Sequence, residues 1–198
     1  MVYKIPSPAR DIALALESSR RSEPKSGPVP RGTAATADRL AAAGRIRHDD
    51  ADRAVVYART RRVWVEDAIL ELEFMTEAEL LRDIATLHAT HFVSTDQLAR
   101  LTIPSRLLSR VPAKVAELCA VFPVLWEDAT STLTVVMGDP GDQNALHDVR
   151  VATGVRHIIA LAARPGAVRA AIARHYRGDT HAFRTLQRQA GMFELDER

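Results

Sequence analysis

A single cysteine, Cys119, stands among 198 residues. That excludes an internal disulfide framework and a cysteine-rich metal site, and it fits a reducing compartment such as the cytoplasm. No run of about 18 apolar residues occurs, so no membrane-spanning helix is expected. Met1 to Arg10 lacks the apolar core of a secretory signal. The chain has no GxxxxGK(S/T) loop, GxGxxG turn, HExxH or GxSxG. The common phosphate-loop, dinucleotide, zinc-protease and serine-hydrolase machines therefore have no support. No catalytic residue, no metal ligand set and no cofactor is expected, and no cofactor-binding residue is assigned.

Lysine is scarce as well, at 3 against 24 arginines, while alanine appears 32 times. A GC-rich genome produces both skews. The net charge is only +2 but uneven: residues 1–62 hold 13 basic and 7 acidic groups, residues 63–198 hold 14 and 18. A basic front half can seek phosphates, although acidic residues interleave the arginines and a solvated surface is the preferred reading. No nucleic-acid partner is expected. The remaining composition, 46% apolar and 26% charged, is that of an ordinary globular protein with a core.

Residues 1–36 read as a disordered leader. Pro6, Pro8, Pro24, Pro28 and Pro30 sit among Ser and Gly, and too little apolar surface is present to offset ordering. Residues 37–88 read as a helical subdomain. Leu40, Ala43 and Ile46 open a pattern broken by Gly44; Ala51, Ala54, Val55 and Ala58 continue it; Trp64, Ala68, Ile69 and Leu72 repeat it. Thr76 to Glu79 and Ser94 to Gln97 are capping boxes. Pro104 and Pro112 each suit a first helical turn. Residues 121–137 read as a β-hairpin, 143–152 as a helix stopped by Gly154, 155–161 as a strand, and Pro165 to Tyr176 as a helix. The fold class expected is α/β (α+β), a helical N-terminal part followed by a mixed sheet of three or four strands covered by helices over 89–176. Residues 177–198 read as a polar tail. Phe183, Leu186, Ala190 and Phe193 give it an amphipathic stripe if helical, either packed back on the domain or docked to another chain.

A series of elements from Leu80 to Tyr176 carries a resemblance. Leu80-Leu81 precede His91-Phe92-Val93; Val111-Pro112 is followed by Ala116; then come Pro123-Val124, Leu133 to Asp139-Pro140 with Asp142, Thr153-Gly154, and Tyr176. In order and spacing this resembles the N-terminal domain of type II secretion and type IV pilus assembly ATPases, GspE N-terminal-like and MshEN-like. The resemblance implies a domain that, in the ATPases, docks the motor onto an inner-membrane assembly protein. No phosphate loop or acidic box of such a motor follows before Arg198. The expectation is a non-catalytic adaptor or regulatory module in the cytoplasm, bound to a secretion or pilus assembly component.

In some members of the family the preceding helical segment binds cyclic di-GMP through two motif copies bearing an arginine, a glycine and a glutamine. With Gly44 as the first motif glycine, the arginine falls on Ala35 and the glutamine on Ala58. In the second copy the arginine, glycine and glutamine become Trp64, Glu73 and Leu87. The apolar frame survives in Ile46, Val55, Ile69, Leu70, Leu80 and Ile84, but the polar positions do not. A degenerate nucleotide sensor is the alternative function, and cyclic di-GMP is not expected as a partner.

The remaining constellations have plain readings. Asp139 and Asp142 supply too few oxygens for calcium and read as turn and cap residues. His48, His88, His91, His147, His157, His175 and His181 are scattered, with no third ligand near His88 and His91. Cys119 reads as an inert thiol on an apolar helix face. Arg59, Arg61 and Arg62 beside Trp64 are the best hint of a nucleotide site, set against a solvated helix end. Trp126 reads as core, with a partner-facing anchor as the alternative.

Overall fold

Reciprocal caps fix two helix starts. The Thr76 hydroxyl accepts the Glu79 amide at 3.3 Å and Glu79 accepts the Thr76 amide at 3.0 Å. Ser94 and Gln97 do the same at 3.2 and 2.9 Å. Each box satisfies two amides that a helix end leaves unpaired. The molecule, here a computed structural model, describes residues 33–184 and Leu186. The expectations for residues 1–32, and for Ala190 and Phe193 of the tail stripe, lie outside the described residues.

Four helices lead: α1 (Thr33–Ala42), α2 (His48–Arg61), α3 (Val65–Glu71) and α4 (Glu77–Leu87). The turns that follow α1 and α3 share one geometry. Between α1 and α2, the Arg45 amide donates to Leu40 O and the Gly44 amide to Ala41 O. Between α3 and α4, the Phe74 amide donates to Ile69 O and the Glu73 amide to Leu70 O. The turn residues are both left-handed, φ +68° at Gly44 and +58° at Glu73. Glycine takes that conformation freely; a glutamate does so at roughly 1 kcal/mol. Residue 73 lies 29 positions after residue 44, so the spacing of the two sequence copies is also the spacing of the two turns.

β1 (Phe92–Val93), α5 (Thr95–Arg100), α6 (Ser105–Leu108) and α7 (Ala113–Cys119) follow, then β2 (Val121–Glu127), β3 (Thr132–Met137), α8 (Gln143–Thr153), β4 (His157–Ala163) and α9 (Pro165–Arg177). The fold is α/β, with a mixed sheet in the order β1-β4-β3-β2. β2 and β3 form the expected antiparallel hairpin, and β3 and β1 flank β4 in parallel. The pairing Thr132↔His157 sets where β4 begins. The strand is therefore shifted from the expected 155–161, and Val155 is buried in the connection after Gly154. Pro123 lies on edge strand β2, beside a register shift between Pro123 and Leu125, where a residue without an amide hydrogen is tolerated.

Alternation along β4 serves two cores. Leu161 and Ala163 enter the larger one with Phe122, Leu133, Val135 and Val168, while Ala162 enters the second with Ala54, Ile69, Leu80 and Ile84 of the helical repeat. Tyr176 closes the large core: its hydroxyl donates to Val111 O at 2.9 Å, and its ring meets Phe122 edge-on. Burial pushes that phenol up to about 12. Phe183 is buried in the same core, with Leu186 packed against it, so the described start of the tail packs back on the domain.

One ion pair links the repeat to the sheet. Asp67 of α3 accepts from Arg164 Nε at 2.7 Å, and the two side chains are 4% and 5% exposed. Its carboxylate also takes Arg169 Nη2 at 3.2 Å and the Gly166 amide at 3.3 Å. Arg164 is the N-cap residue of α9 and makes no side-chain cap bond; Asp67 supplies that acceptor to the Gly166 amide from 99 residues away. Removing one partner of a buried pair strands the other. Asp67→Ala is therefore expected to lower unfolding free energy by about 3–5 kcal/mol, read as a shift of the urea midpoint at unchanged slope. A loss below about 1 kcal/mol would show that the pair behaves as a surface bridge.

Candidate functional site

Two concave regions gather side chains that the sequence singled out, Trp126 in one and Trp64, Asp139 and Asp142 in the other. The first is a groove of about 570 Å³ along the outer side of β2, walled by Leu101, Ile103, Leu107 and Leu125. Trp126 lies at its rim. The Arg110 guanidinium stacks 3.9 Å from the indole centroid. The indole N–H donates to Asp128 Oδ1 at 2.5 Å, and Arg110 Nη2 stands 3.5 Å from the same oxygen. Trp126 is half-buried and packs against the large core, while it also lines the groove, so features of both the core and the anchor readings are present. It is the last but one residue of β2.

The second is a cavity, also about 570 Å³, where five segments meet, the end of α7 among them through Leu118, Cys119 and Ala120. Thr36 comes from α1, Trp64 and Glu66 from the start of α3, Asp139 and Asp142 from the turn after β3, and Asp148 from α8. Trp64 does not continue a helical stripe as its spacing suggested. It is the N-cap residue of α3, in extended conformation and half-buried. The turn is built as its composition implied: Asp139 Oδ1 accepts the Gly141 amide at 2.9 Å, and Asp142 caps α8 through Asn144 and Ala145.

Glu66 is the unusual group. It is 3% exposed, and its Oε2 has no hydrogen-bond partner. Burial pushes its carboxyl up to about 7; the Thr36 hydroxyl opposes that, and the charges of Asp67 and Asp139 add to it. Behind the cavity, His88 Nε2 lies 3.5 Å from Asp139 Oδ1. Burial pulls this histidine below its usual range, against the pull of Asp139. The approach requires Gly141, since a Cβ there would stand 2.5 Å from His88 Cε1. Sequence spacing had offered His88 only His91 as a companion. The fold gives it Asp139 instead, 51 residues away in the chain (139 less 88).

The arginine cluster is divided. Arg61 lies 5.6 Å from the Tyr57 ring centroid in a shallow hollow with Leu72, whereas Trp64 lines the acidic cavity. Arg59 and Arg62 are exposed. Cys119 is partly buried against the large core and also borders the acidic cavity. At the remaining motif positions, Ala58 is buried, Glu73 is exposed and Leu87 is 50% exposed.

The family pattern described as the MshEN domain matches residues 93–182. No curated protein matches the chain in sequence. Among solved structures, MshE with cdg superposes with a TM-score of 0.54 at 18% identity, over 71% of this chain and 98% of that one. The N-terminal domain of XpsE gives 0.48 at 17% identity, over 74% and 97%. Residues 93–182 are thus an MshEN-like domain, within the resemblance read from Leu80 to Tyr176. Among the described residues, no helix is long and apolar enough to cross a membrane.

The Glu66 environment has a measurable sign. A carboxyl raised in the folded state contributes stability that is complete below its unfolded value of 4.5 and is lost as pH climbs through about 7. At 1.36 kcal/mol per pH unit, Glu66 is expected to cost about 3 kcal/mol between those limits. Glu66→Gln removes this component. In paired denaturant titrations the variant is expected to gain on the native protein steadily from about pH 4.5 to 7.5; parallel pH profiles would refute the shift.

Proposed function

We propose that this chain, which carries an MshEN domain over residues 93–182, is a non-catalytic recognition module that acts by binding a protein partner, a component of a secretion or pilus assembly system. The observation that carries the reading is the Trp126 rim. A tryptophan stacked by an arginine and tied to an aspartate beside an apolar groove has the make-up of an interface anchor: a large rigid surface whose ordering cost is already met. The absence of a phosphate loop from the sequence supports the non-catalytic part.

A cyclic di-GMP sensor is the second reading, favoured by the fold shared with MshE, solved with cdg. Two features weigh against it. The motif arginines and glutamines are Ala35, Trp64, Ala58 and Leu87 here. In addition, Trp64 and Thr36, the latter next to Ala35, line a cavity that also holds Glu66, Asp139, Asp142 and Asp148. A ligand with two phosphates gains from arginine forks and loses beside carboxylates. What the repeat retains is backbone, the left-handed turns at Gly44 and Glu73.

Two measurements separate the readings. Calorimetry with cyclic di-GMP is expected to give a dissociation constant weaker than about 1 mM; a value near 1 μM would establish the sensor. Binding to the cytoplasmic domain of an inner-membrane assembly protein from the same cells is expected to weaken by about 10- to 100-fold in Trp126→Ala. The surface variant Arg110→Glu, with an unchanged melting temperature, is expected to lose the same affinity. Binding untouched by both changes would remove the groove from the interface.

A further inference from the structure

We propose that the cavity between α1, the start of α3, the Gly138–Asp142 turn and α8 is a receptor for an arginine side chain presented by a protein partner. This names a partner chemistry and rests on the recognition reading above, at a place separate from the Trp126 groove.

The lining has one sign. Glu66, Asp139, Asp142 and Asp148 contribute carboxylates, and no lysine or arginine is among the described lining residues. Charge of one sign focused in a concave site selects a cationic occupant. The acid is not merely clustered: Glu66 is 3% exposed and its Oε2 is without a hydrogen-bond partner. Native proteins pair nearly all such atoms, so a donor arriving from outside would complete the site. A small ion does not fit the pattern. No group of three or more His, Cys, Asp or Glu among the described residues is placed to hold a metal. Spread acceptors suit a spread cation, and guanidinium offers five donors in a plane where ammonium offers a point charge. Trp64 in the same wall presents an indole on which that plane can stack. A volume of about 570 Å³ admits the whole side chain.

The test uses the full chain and N-acetyl-argininamide as probe, at about pH 8 and low salt so that Glu66 is ionised. The readout is the Trp64 indole N–H signal in a ¹H–¹⁵N spectrum, with Trp126 as internal control. A saturable Trp64 shift with a dissociation constant of about 1 mM is expected, with Trp126 unmoved. The citrulline analogue, of the same shape without the charge, is expected to give no shift. Glu66→Gln is expected to weaken binding by about tenfold or more. The exposed Asp148→Asn, which leaves the core untouched, is expected to weaken it by about threefold. The proposal is overturned by no Trp64 shift up to about 50 mM probe, by equal affinity for the citrulline or lysine analogue, or by unchanged binding in both variants. Partner binding lost through Trp126 is scored separately, so either reading can fail while the other stands.

Discussion

The buried pairing of Asp67 with Arg164 is the constraint on which the arrangement turns. β4 contributes to both apolar cores, and the chain leaves β4 directly into Arg164. Two charges moved out of water cost several kcal/mol each, and only good geometry with further donors recovers it. The carboxylate finds Arg164, Arg169 and the Gly166 amide at the positive end of α9. The pair can form in one relative placement of α3 and α9 only. That placement also sets Trp64 and Glu66, which shortly precede Asp67 in sequence, against the turn after β3. The acidic cavity is thus a by-product of the joint.

The two concave regions answer to different chemistry. The β2 groove is apolar, with a rigid aromatic at its rim. The cavity is acidic and organised around one buried carboxyl that is disfavoured when ionised. In the repeat, left-handed turns at Gly44 and Glu73 persist although the second holds a residue that dislikes the conformation. Ile69 and Leu80 of the flanking helices are both fully buried in the second core.

What could be read from the sequence was local. Both capping boxes, the hairpin, the Asp142 cap and the Gly154 stop depend on residues within a few positions of one another. Their physical signals are complete in a short window. Trp64 was misplaced because its spacing fits a helical stripe, and nothing nearby says that it ends up as an N-cap. Trp126 was hard to place because a strand end belongs to core and surface at once. Asp67 with Arg164, and His88 with Asp139, are brought together by topology across 97 and 51 residues. Glu66 left a fainter trace: an acid within an otherwise buried helix start, beside a second acid. Such a doublet at a helix N-terminus is favourable on dipole grounds alone, and that conceals its burial.

The edge of the sheet carries a consequence of its own. β2 ends the strand order, and an outer strand normally offers its free amides and carbonyls as a template for another strand. Here Pro123 lacks the amide hydrogen, and the register slips beside it. A visiting strand would lose its ladder within two residues. Both features blunt this edge against strand addition, which favours recognition on this flank through side-chain shape. Selectivity there comes from a missing hydrogen as much as from any group that is present.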